Sequence, residues 1–296
     1  MSTRSIPLSL IRYQGPMLRA WSRAFARSWL PFVRPSQNPV EFEDLAAIHG
    51  PLPIELVQAY IDWSGGREEG VLPPHMFAQW GLPLALQVIE QSKYDLVDII
   101  NQGVHMRCNG PLPLDAPLVV RASLHSMREE QGRADLDVRI VTGTKQRHDL
   151  VEATLHTTFL SPAARRAVLR SARIQVEHWQ TLGVWHAEPD DGFQFAVLTG
   201  DFNPIHWIDA IGRKSAFGRT VLQGLGLFAR TYECLQASMA VYELDLRFLR
   251  PIPLPSGALQ VQVSPEADGA FGYHLRVVDG EGRVRAAGRV QAQATA

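Results

Sequence analysis

The sequence predicts an α+β fold in which two antiparallel sheets each wrap around a central helix, so that the chain forms a pseudo-dimer. Three observations predict it: an internal repeat with the spacing of a whole domain, one long apolar helix in each half, and alternating segments after each helix. The 296 residues suffice for two such halves, since domains commonly hold about 100–150 residues.

The internal repeat is carried by a corner marked with prolines. "VHMRCNGPLPLDAPLVVRASL" begins at Val104 and "LDLRFLRPIPLPSGALQVQVS" begins at Leu244, so that Pro113 faces Pro253 in a gapless alignment. The offset from one copy to the next is therefore the length of a whole domain. In each copy an alternating stretch predicts a strand, the prolines break it, and a second β-rich stretch follows.

A helix apolar on all sides precedes each corner. "MFAQWGLPLALQVIEQ" begins at Met76 and "VLQGLGLFARTYECLQ" at Val221, and such helices are buried on most sides. The same offset places Phe77 opposite Phe217. Near the C-terminus, "ALQVQVSP", "FGYHLRVVDG" and "RVRAAGRVQAQ" predict strands joined by glycine-containing turns. The glycines inside the second helix lower its helix propensity, which indicates a close approach of backbone or ligand.

The composition of the chain argues against several classes of protein. A formal net charge of −1 argues against a nucleic-acid surface. Cys108 and Cys234 are far apart in sequence, which favours neither a disulfide framework nor a structural zinc site. A reducing compartment follows, and we expect a cytoplasmic protein. No apolar run approaches the roughly 20 residues of a membrane span.

The segment 1–40 is basic, with six arginines and no acid before Glu41. Aromatic and apolar residues recur every fourth position: Met17, Trp21, Phe25 and Trp29. Arginines at 19, 23 and 27 lie about 200° away on a helical wheel, which predicts an amphipathic helix. Three interpretations stay open: an organellar transit segment, a helix packed on the body, or a helix contacting a membrane surface or acidic partner through residues 17–30.

The segment "TGDFNPIHW", residues 199–207, is the strongest candidate for chemistry. Asn203 can bond its own backbone and Pro204 fixes φ, so the segment predicts a turn. Such a turn can aim Asp201 and His206 at one point. A carboxylate and an imidazole brought together supply an acid and a base.

With the residues that follow it, this segment resembles the MaoC-like hydratases and dehydratases, which include (R)-specific enoyl-CoA hydratases and have the hotdog fold. The resemblance rests on Gly200-Asp201-Phe202-Asn203-Pro204-Ile205-His206, then Phe217-Gly218, Gln223-Gly224 and "LDLRFLRPIPLPSG". It covers about residues 175–296, and the first half resembles the degenerate hotdog of duplicated members. It implies a double hotdog with a basic segment at 1–40, a degenerate domain at 41–170 and a catalytic domain at 171–296.

The resemblance implies a hydro-lyase of fatty acid metabolism that interconverts a trans-2-enoyl thioester and an (R)-3-hydroxyacyl thioester without a metal or redox cofactor. Asp201 and His206 would activate the water, and the Gly224 amide would donate to the thioester carbonyl, as helix N-termini do for negative charge. The implied substrate is an acyl-CoA or an acyl-carrier-protein thioester. The implied substrate-binding residues are Gly224, Asn203, Gln223, Phe217, Trp207 and Tyr232.

Three positions depart from the family pattern. Gln223 stands where a histidine is usual, Ile208 where an aspartate is common, and Tyr232 where a small hydroxyl residue often lines the water site. A catalytically silent acyl-thioester binding protein and a hotdog thioesterase are therefore kept as alternatives. In the first half, Asp62 and His75 flank a loop without such a turn, which predicts one active site per chain.

The surroundings of the motif bear on partners. Basic residues near it, Arg213, Lys214 and Arg219, could meet a phosphate or an acidic carrier surface, or form a solvated face. The duplicated architecture also allows a homodimer of pseudo-dimers.

Overall fold

A computed structural model describes residues 6–30, 35–67, 69–161, 178–266 and 272–294. Its six α-helices in the described ranges are α1 (Gly15–Trp29), α2 (Ile54–Ser64), α3 (Ala78–Glu90), α4 (Asp191–Thr199), α5 (Asp209–Lys214) and α6 (Gly224–Gln236). Its strands there are β1 (Leu45–His49), β2 (Val71–Leu72), β3 (Ile100–Cys108), β4 (Leu112–Pro113), β5 (Leu118–Glu130), β6 (Arg133–Gly143), β7 (Val151–Leu160), β8 (Gln180–Trp185), β9 (Met239–Phe248), β10 (Leu259–Pro265), β11 (Gly272–Asp279) and β12 (Val284–Ala294). Short 3-10 helices lie at Leu8–Tyr13, Pro74–Phe77, Leu96–Asp98 and Pro204–His206.

Ten strands form one antiparallel sheet in the order β1-β5-β6-β7-β3-β9-β12-β11-β10-β8. The first five belong to the first half of the chain and the last five to the second half. Helix α3 packs on β1, β5 and β6, and α6 packs on β3, β8, β9 and β10. Two sheet halves thus enclose two helices, which is the predicted α+β pseudo-dimer.

Both central helices are buried, as their apolar sequences predict. Trp80 and Phe228 are fully buried, and the Trp80 indole donates to the Thr142 hydroxyl at 3.0 Å. Gly226 makes room for Trp63 of the first half, because a Cβ there would lie 3.0 Å from the indole ring. The core therefore runs through both halves without a break.

Strands β3 and β9 join the halves, and their register shows the internal symmetry. His105 pairs directly with Asp245, and the offset between these two positions equals the offset between the corner prolines. Each proline corner also pairs with the segment that precedes its central helix: Pro113 with Val71 of β2, and Pro253 with Val221 in an isolated bridge. The repeat found in the sequence is thus a structural repeat about an axis through the β3–β9 pair.

The offset changes ahead of the corner. The bridging valines, Val71 and Val221, are further apart in sequence than Pro113 and Pro253, so the segment between valine and corner is shorter in the second half. The predicted match of Phe77 with Phe217 is therefore wrong. Phe77 is fully buried beside α3, whereas Phe217 lies in an exposed loop.

The N-terminal helix α1 packs on the body along only part of its aromatic stripe. Met17 and Trp21 are buried, whereas Phe25 and Trp29 are exposed. The predicted boundary between the two halves, near residue 170, lies outside the described residues. None of the helices in the described ranges has the length and apolarity of a membrane span.

Candidate active site

The segment between α4 and α5 forms the predicted turn, with Asp201 before it and His206 at its end. The Asn203 side chain accepts a hydrogen bond from the Ile205 amide at 3.3 Å, the local bond expected of an asparagine before proline. The 3-10 helix Pro204–His206 follows at once. Asp201 and His206 are both half-buried, so the turn holds two titratable groups at the border between core and solvent.

The imidazole of His206 has a defined orientation. Its Nδ1 lies 2.7 Å from the carbonyl oxygen of Val221, the residue that bridges to Pro253 just ahead of α6. Because a carbonyl can only accept, Nδ1 carries the proton and Nε2 presents a lone pair. His206 is therefore set up as a base, and its ring is tied to the approach to the central helix.

Asp201 and His206 influence each other electrostatically. Burial raises the pKa of Asp201, while the charge of His206 and the amide of Asn203 act in the opposite direction. Burial lowers the pKa of His206, while Asp201 and the Val221 carbonyl oppose that change. Both shifts favour the uncharged forms.

Gln223 lies beneath the turn and connects two backbone segments. Its Nε2 donates to the carbonyl oxygen of Gly192 at 2.9 Å and lies 3.3 Å from that of Asp201. The side chain is buried, and its Oε1 has no hydrogen-bond partner among the described residues. Two carbonyl acceptors on one side fix the orientation of the amide. Gln223 thus positions Asp201 through its backbone.

Helix α6 begins at Gly224, close to these groups. Gly226 and Leu227 donate their amides to the carbonyl of Gln223. Within the described residues, the amide of Gly224 has no acceptor. A Cβ at position 224 would lie 2.5 Å from the Phe248 ring, so packing against Phe248 already requires glycine here.

Aromatic side chains cover one side of the turn. Phe193 lies 5.5 Å from Trp207 and 6.4 Å from Phe202 between ring centroids. Trp207 and Phe217 are partly exposed. They belong to the surface beside the turn rather than to the core.

Tyr232 lies elsewhere. It is two turns further along α6, about 12 Å from Gly224 along the helix axis. Its ring packs on His75 at 5.1 Å, and its hydroxyl donates to the Val241 carbonyl at 3.4 Å. The structure brings Asp201, His206, Gln223 and Gly224 together and places Tyr232 at the contact with the first half.

In the first half, Asp62 and His75 have different surroundings. Asp62 is exposed and accepts from Gln58. His75 is buried, with Nε2 2.6 Å from Glu233 Oε1 and Nδ1 3.0 Å from the Tyr60 hydroxyl. The nitrogens of His75 thus already have protein partners.

One network near the site was missed in the sequence. Arg230 contacts both carboxylate oxygens of Asp191 at 2.7 Å, and the Trp63 indole donates to the same carboxylate at 3.0 Å. The guanidinium also lies 4.3 Å from the Trp63 ring centroid. This network ties the first turn of α4 to the first half. Its members are 39 and 128 residues apart, so no local pattern reveals it.

Comparisons with known proteins support the family. A profile described as "MaoC like domain" matches residues 161–269, which include Asp201, His206, Gln223 and Gly224. Residues 161–269 of this chain thus match a MaoC-like domain. The resemblance predicted from the sequence is confirmed.

Solved structures support the fold around the MaoC-like domain. HtdX of Mycobacterium tuberculosis is similar, with a TM-score of 0.69 at 18% identity over 86% of this chain and 100% of its own. A conserved hypothetical protein of the same organism, described as having a double hotdog fold, gives 0.51 at 12% identity over 86% and 97%. The predicted double hotdog is confirmed.

A multidomain enzyme also matches. Full-length peroxisomal multifunctional enzyme type 2 from Drosophila melanogaster gives a TM-score of 0.64 at 15% identity. The match covers 85% of this chain and 48% of that one, so the chain spans about half of that enzyme. A comparison with curated proteins found no match. Across the described ranges, no group of three His, Cys, Asp or Glu side chains is placed to hold a metal ion.

Proposed function

We propose that this chain catalyses the reversible hydration of a trans-2-enoyl thioester to an (R)-3-hydroxyacyl thioester, with Asp201 and His206 as the catalytic residues. The MaoC-like domain supports hydratase or dehydratase activity in general. The observation that carries the finer proposal is that one turn holds a half-buried aspartate and a half-buried histidine whose Nδ1 is already bound.

The coupled pair fits the proton transfers of hydration. Adding water to the double bond requires one proton to leave the water as its oxygen bonds to the β-carbon, and one proton to reach the α-carbon. The Asp201–His206 pair takes the first proton and returns one to the α-carbon, so the enzyme is unchanged at the end. The His206 Nε2 lone pair and the carboxylate supply the acceptors.

The start of α6 fits the charge that develops on the thioester. Addition at the β-carbon sends negative charge to the carbonyl oxygen. The Gly224 amide, at the positive end of the helix, is the donor that we assign to this oxygen. Removing one such donor typically costs about 3–4 kcal/mol of transition-state stabilisation.

The exposed loop beside the turn is the proposed site for the thioester handle. Arg213 and Lys214 end α5, and Arg219 follows in the loop; all three are exposed. A phosphate of CoA or an acidic carrier protein carries the complementary charge. Trp207 and Phe217 add partly exposed aromatic surface at the same place.

The test is the loss of enoyl-thioester ultraviolet absorbance in the presence of the purified chain, followed by chiral analysis of the product. Asp201→Asn and His206→Gln should each lower kcat/KM by about 10²–10⁴-fold, the usual contribution of a general acid or base. Asp62→Asn is the matched control. Asp62 is an exposed carboxylate of the first half that accepts from Gln58 of its own helix, so its variant should keep the parent rate.

Each alternative has its own outcome. Binding of the enoyl thioester without loss of absorbance, in parent and variants alike, would favour a silent binding protein. Release of free thiol from a saturated acyl thioester would favour a thioesterase. Full activity in both Asp201→Asn and His206→Gln would contradict the assigned roles even if hydration occurs.

A further inference from the structure

Helix α1 presents an apolar stripe to solvent. The exposed fraction is 37% for Leu18, 41% for Phe25 and 84% for Trp29. At 100° per residue these three side chains lie within about 40° of one another. The side that faces the protein body is formed by Met17, Ala20, Trp21 and Ala24. The exposed stripe therefore continues the face that packs on the body, since the Trp21 and Phe25 rings lie 5.8 Å apart between centroids.

The helix is held so that this stripe stays outside. Gln14, just before the helix, donates to the Val197 carbonyl of α4 at 2.9 Å. Arg27, in the last turn, donates to the Glu90 carbonyl at the end of α3 at 2.6 Å. These two contacts tie both ends of α1 to the body, with Phe25 and Trp29 facing outward.

The charges that α1 itself carries are positive, and the acids nearest to it, Glu90 and Asp95, lie beside Arg27 at its end. Arg19 and Arg23 are exposed and lie about 100–140° from Leu18 around the helix axis, beside the apolar stripe. Arg23 also contacts Glu90 at 3.3 Å, with 45% of its side chain still exposed. No acidic residue lies within α1 or between it and the N-terminus. An exposed tryptophan beside arginines is the pattern of a helix lying in a lipid headgroup region.

We propose that α1 docks this protein onto an anionic lipid surface, with Phe25 and Trp29 at the headgroup level and Arg19 and Arg23 against lipid phosphates. The charge argues for lipid over a second copy of the chain. Two stripes facing each other would bring arginines of both copies together with no acid on either helix to offset them. An anionic bilayer offers both the apolar contact and the opposite charge. This inference is independent of the proposed reaction.

The experiment is sedimentation of the full chain with vesicles of phosphatidylcholine containing about 30 mol% phosphatidylserine, against vesicles of phosphatidylcholine alone. The parent should sediment with the anionic vesicles, less with the neutral ones, and less as salt is raised. Phe25→Ser/Trp29→Ser should weaken the partition by about tenfold or more, because the variant loses both aromatic rings that would be buried among the lipids.

The matched control is Val184→Ser/Leu249→Ser, which removes two exposed apolar side chains far from α1 in sequence; it should sediment like the parent. Thermal unfolding confirms that both variants are folded. Equal sedimentation of Phe25→Ser/Trp29→Ser and parent would overturn the proposal. A parent chain that binds neither kind of vesicle would also overturn it. This holds whether or not the parent forms a concentration-dependent dimer that Phe25→Ser/Trp29→Ser abolishes. Turnover of a soluble enoyl thioester should be the same in all three proteins, so the two proposals can fail separately.

Discussion

The Asp191–Arg230 pair makes a large and specific contribution to stability. Asp191 is 3% exposed and Arg230 13% exposed in their side chains, so solvent screens the pair weakly. In Arg230→Met the carboxylate keeps two donors, the Trp63 indole and the Glu188 amide. We therefore expect the low end of the usual cost of breaking a buried pair, about 3 kcal/mol, plus up to about 1 kcal/mol for the lost contact of the guanidinium with the Trp63 ring.

The assay is thermal unfolding of parent and variant at neutral pH. For a chain of 296 residues, an unfolding entropy of about 2.1 cal/mol/K per residue converts this loss to a Tm drop of roughly 5–6 °C. Arg283→Met, which breaks an exposed pair with Glu281, is the control and should cost about 1 °C or less. The double variant Asp191→Asn/Arg230→Met should be no less stable than Arg230→Met. A Tm drop for Arg230→Met within 1–2 °C of that of the control would refute this account. So would a Tm drop for the double variant equal to the sum of the drops for Asp191→Asn and Arg230→Met.

The remaining predictions concern the turn. Gln223→Leu removes the side-chain donor to the Gly192 and Asp201 carbonyls, which should cost about 1–3 kcal/mol in thermal unfolding and lower kcat/KM; unchanged values would contradict a positioning role. Gly192→Ala should lower activity, because a Cβ there would overlap the carbonyl oxygen of His206; a fully active variant would contradict that contact. The apparent pKa of the acid limb of the kcat/KM profile should lie above 3.8, the ordinary pKa of an aspartate, because burial raises the pKa of Asp201. An apparent pKa at or below 3.8 would contradict the role of Asp201 as the titrating group. A raised folded-state pKa means that ionised Asp201 destabilises the fold as pH rises through its titration, so Asp201→Asn should unfold at a higher temperature than the parent at neutral pH and at the same temperature in acid.

Local chemistry explains why the turn and the helices could be predicted. Asn203 and Pro204 act within a few residues of one another, and their effect on the backbone is independent of the rest of the fold. The apolar composition of the central helices predicts burial in the same way. Trp80 and Phe228, one in each helix, are both fully buried.

Long-range features could not be predicted. The carbonyl of Val221 orients His206, but a backbone group leaves no trace in residue type. The four-residue spacing of the apolar stripe correctly predicted the helix α1. It did not show which part of the stripe packs on the body, and Met17 is buried whereas Trp29 is exposed. The predicted match of Phe77 with Phe217 is wrong because a gapless alignment assumes segments of equal length, and the segment ahead of the proline corner is shorter in the second half.

The register of β3 and β9 has a consequence for how the two halves recognise each other. In a chain reduced to its second half, the free edge of β9 could pair with β9 of another copy, and Asp245 on the axis would then face a second Asp245. Like charges directly opposite in a sheet repel. In the intact chain Asp245 faces His105 instead, so the central strand pair of the sheet avoids that contact between two carboxylates.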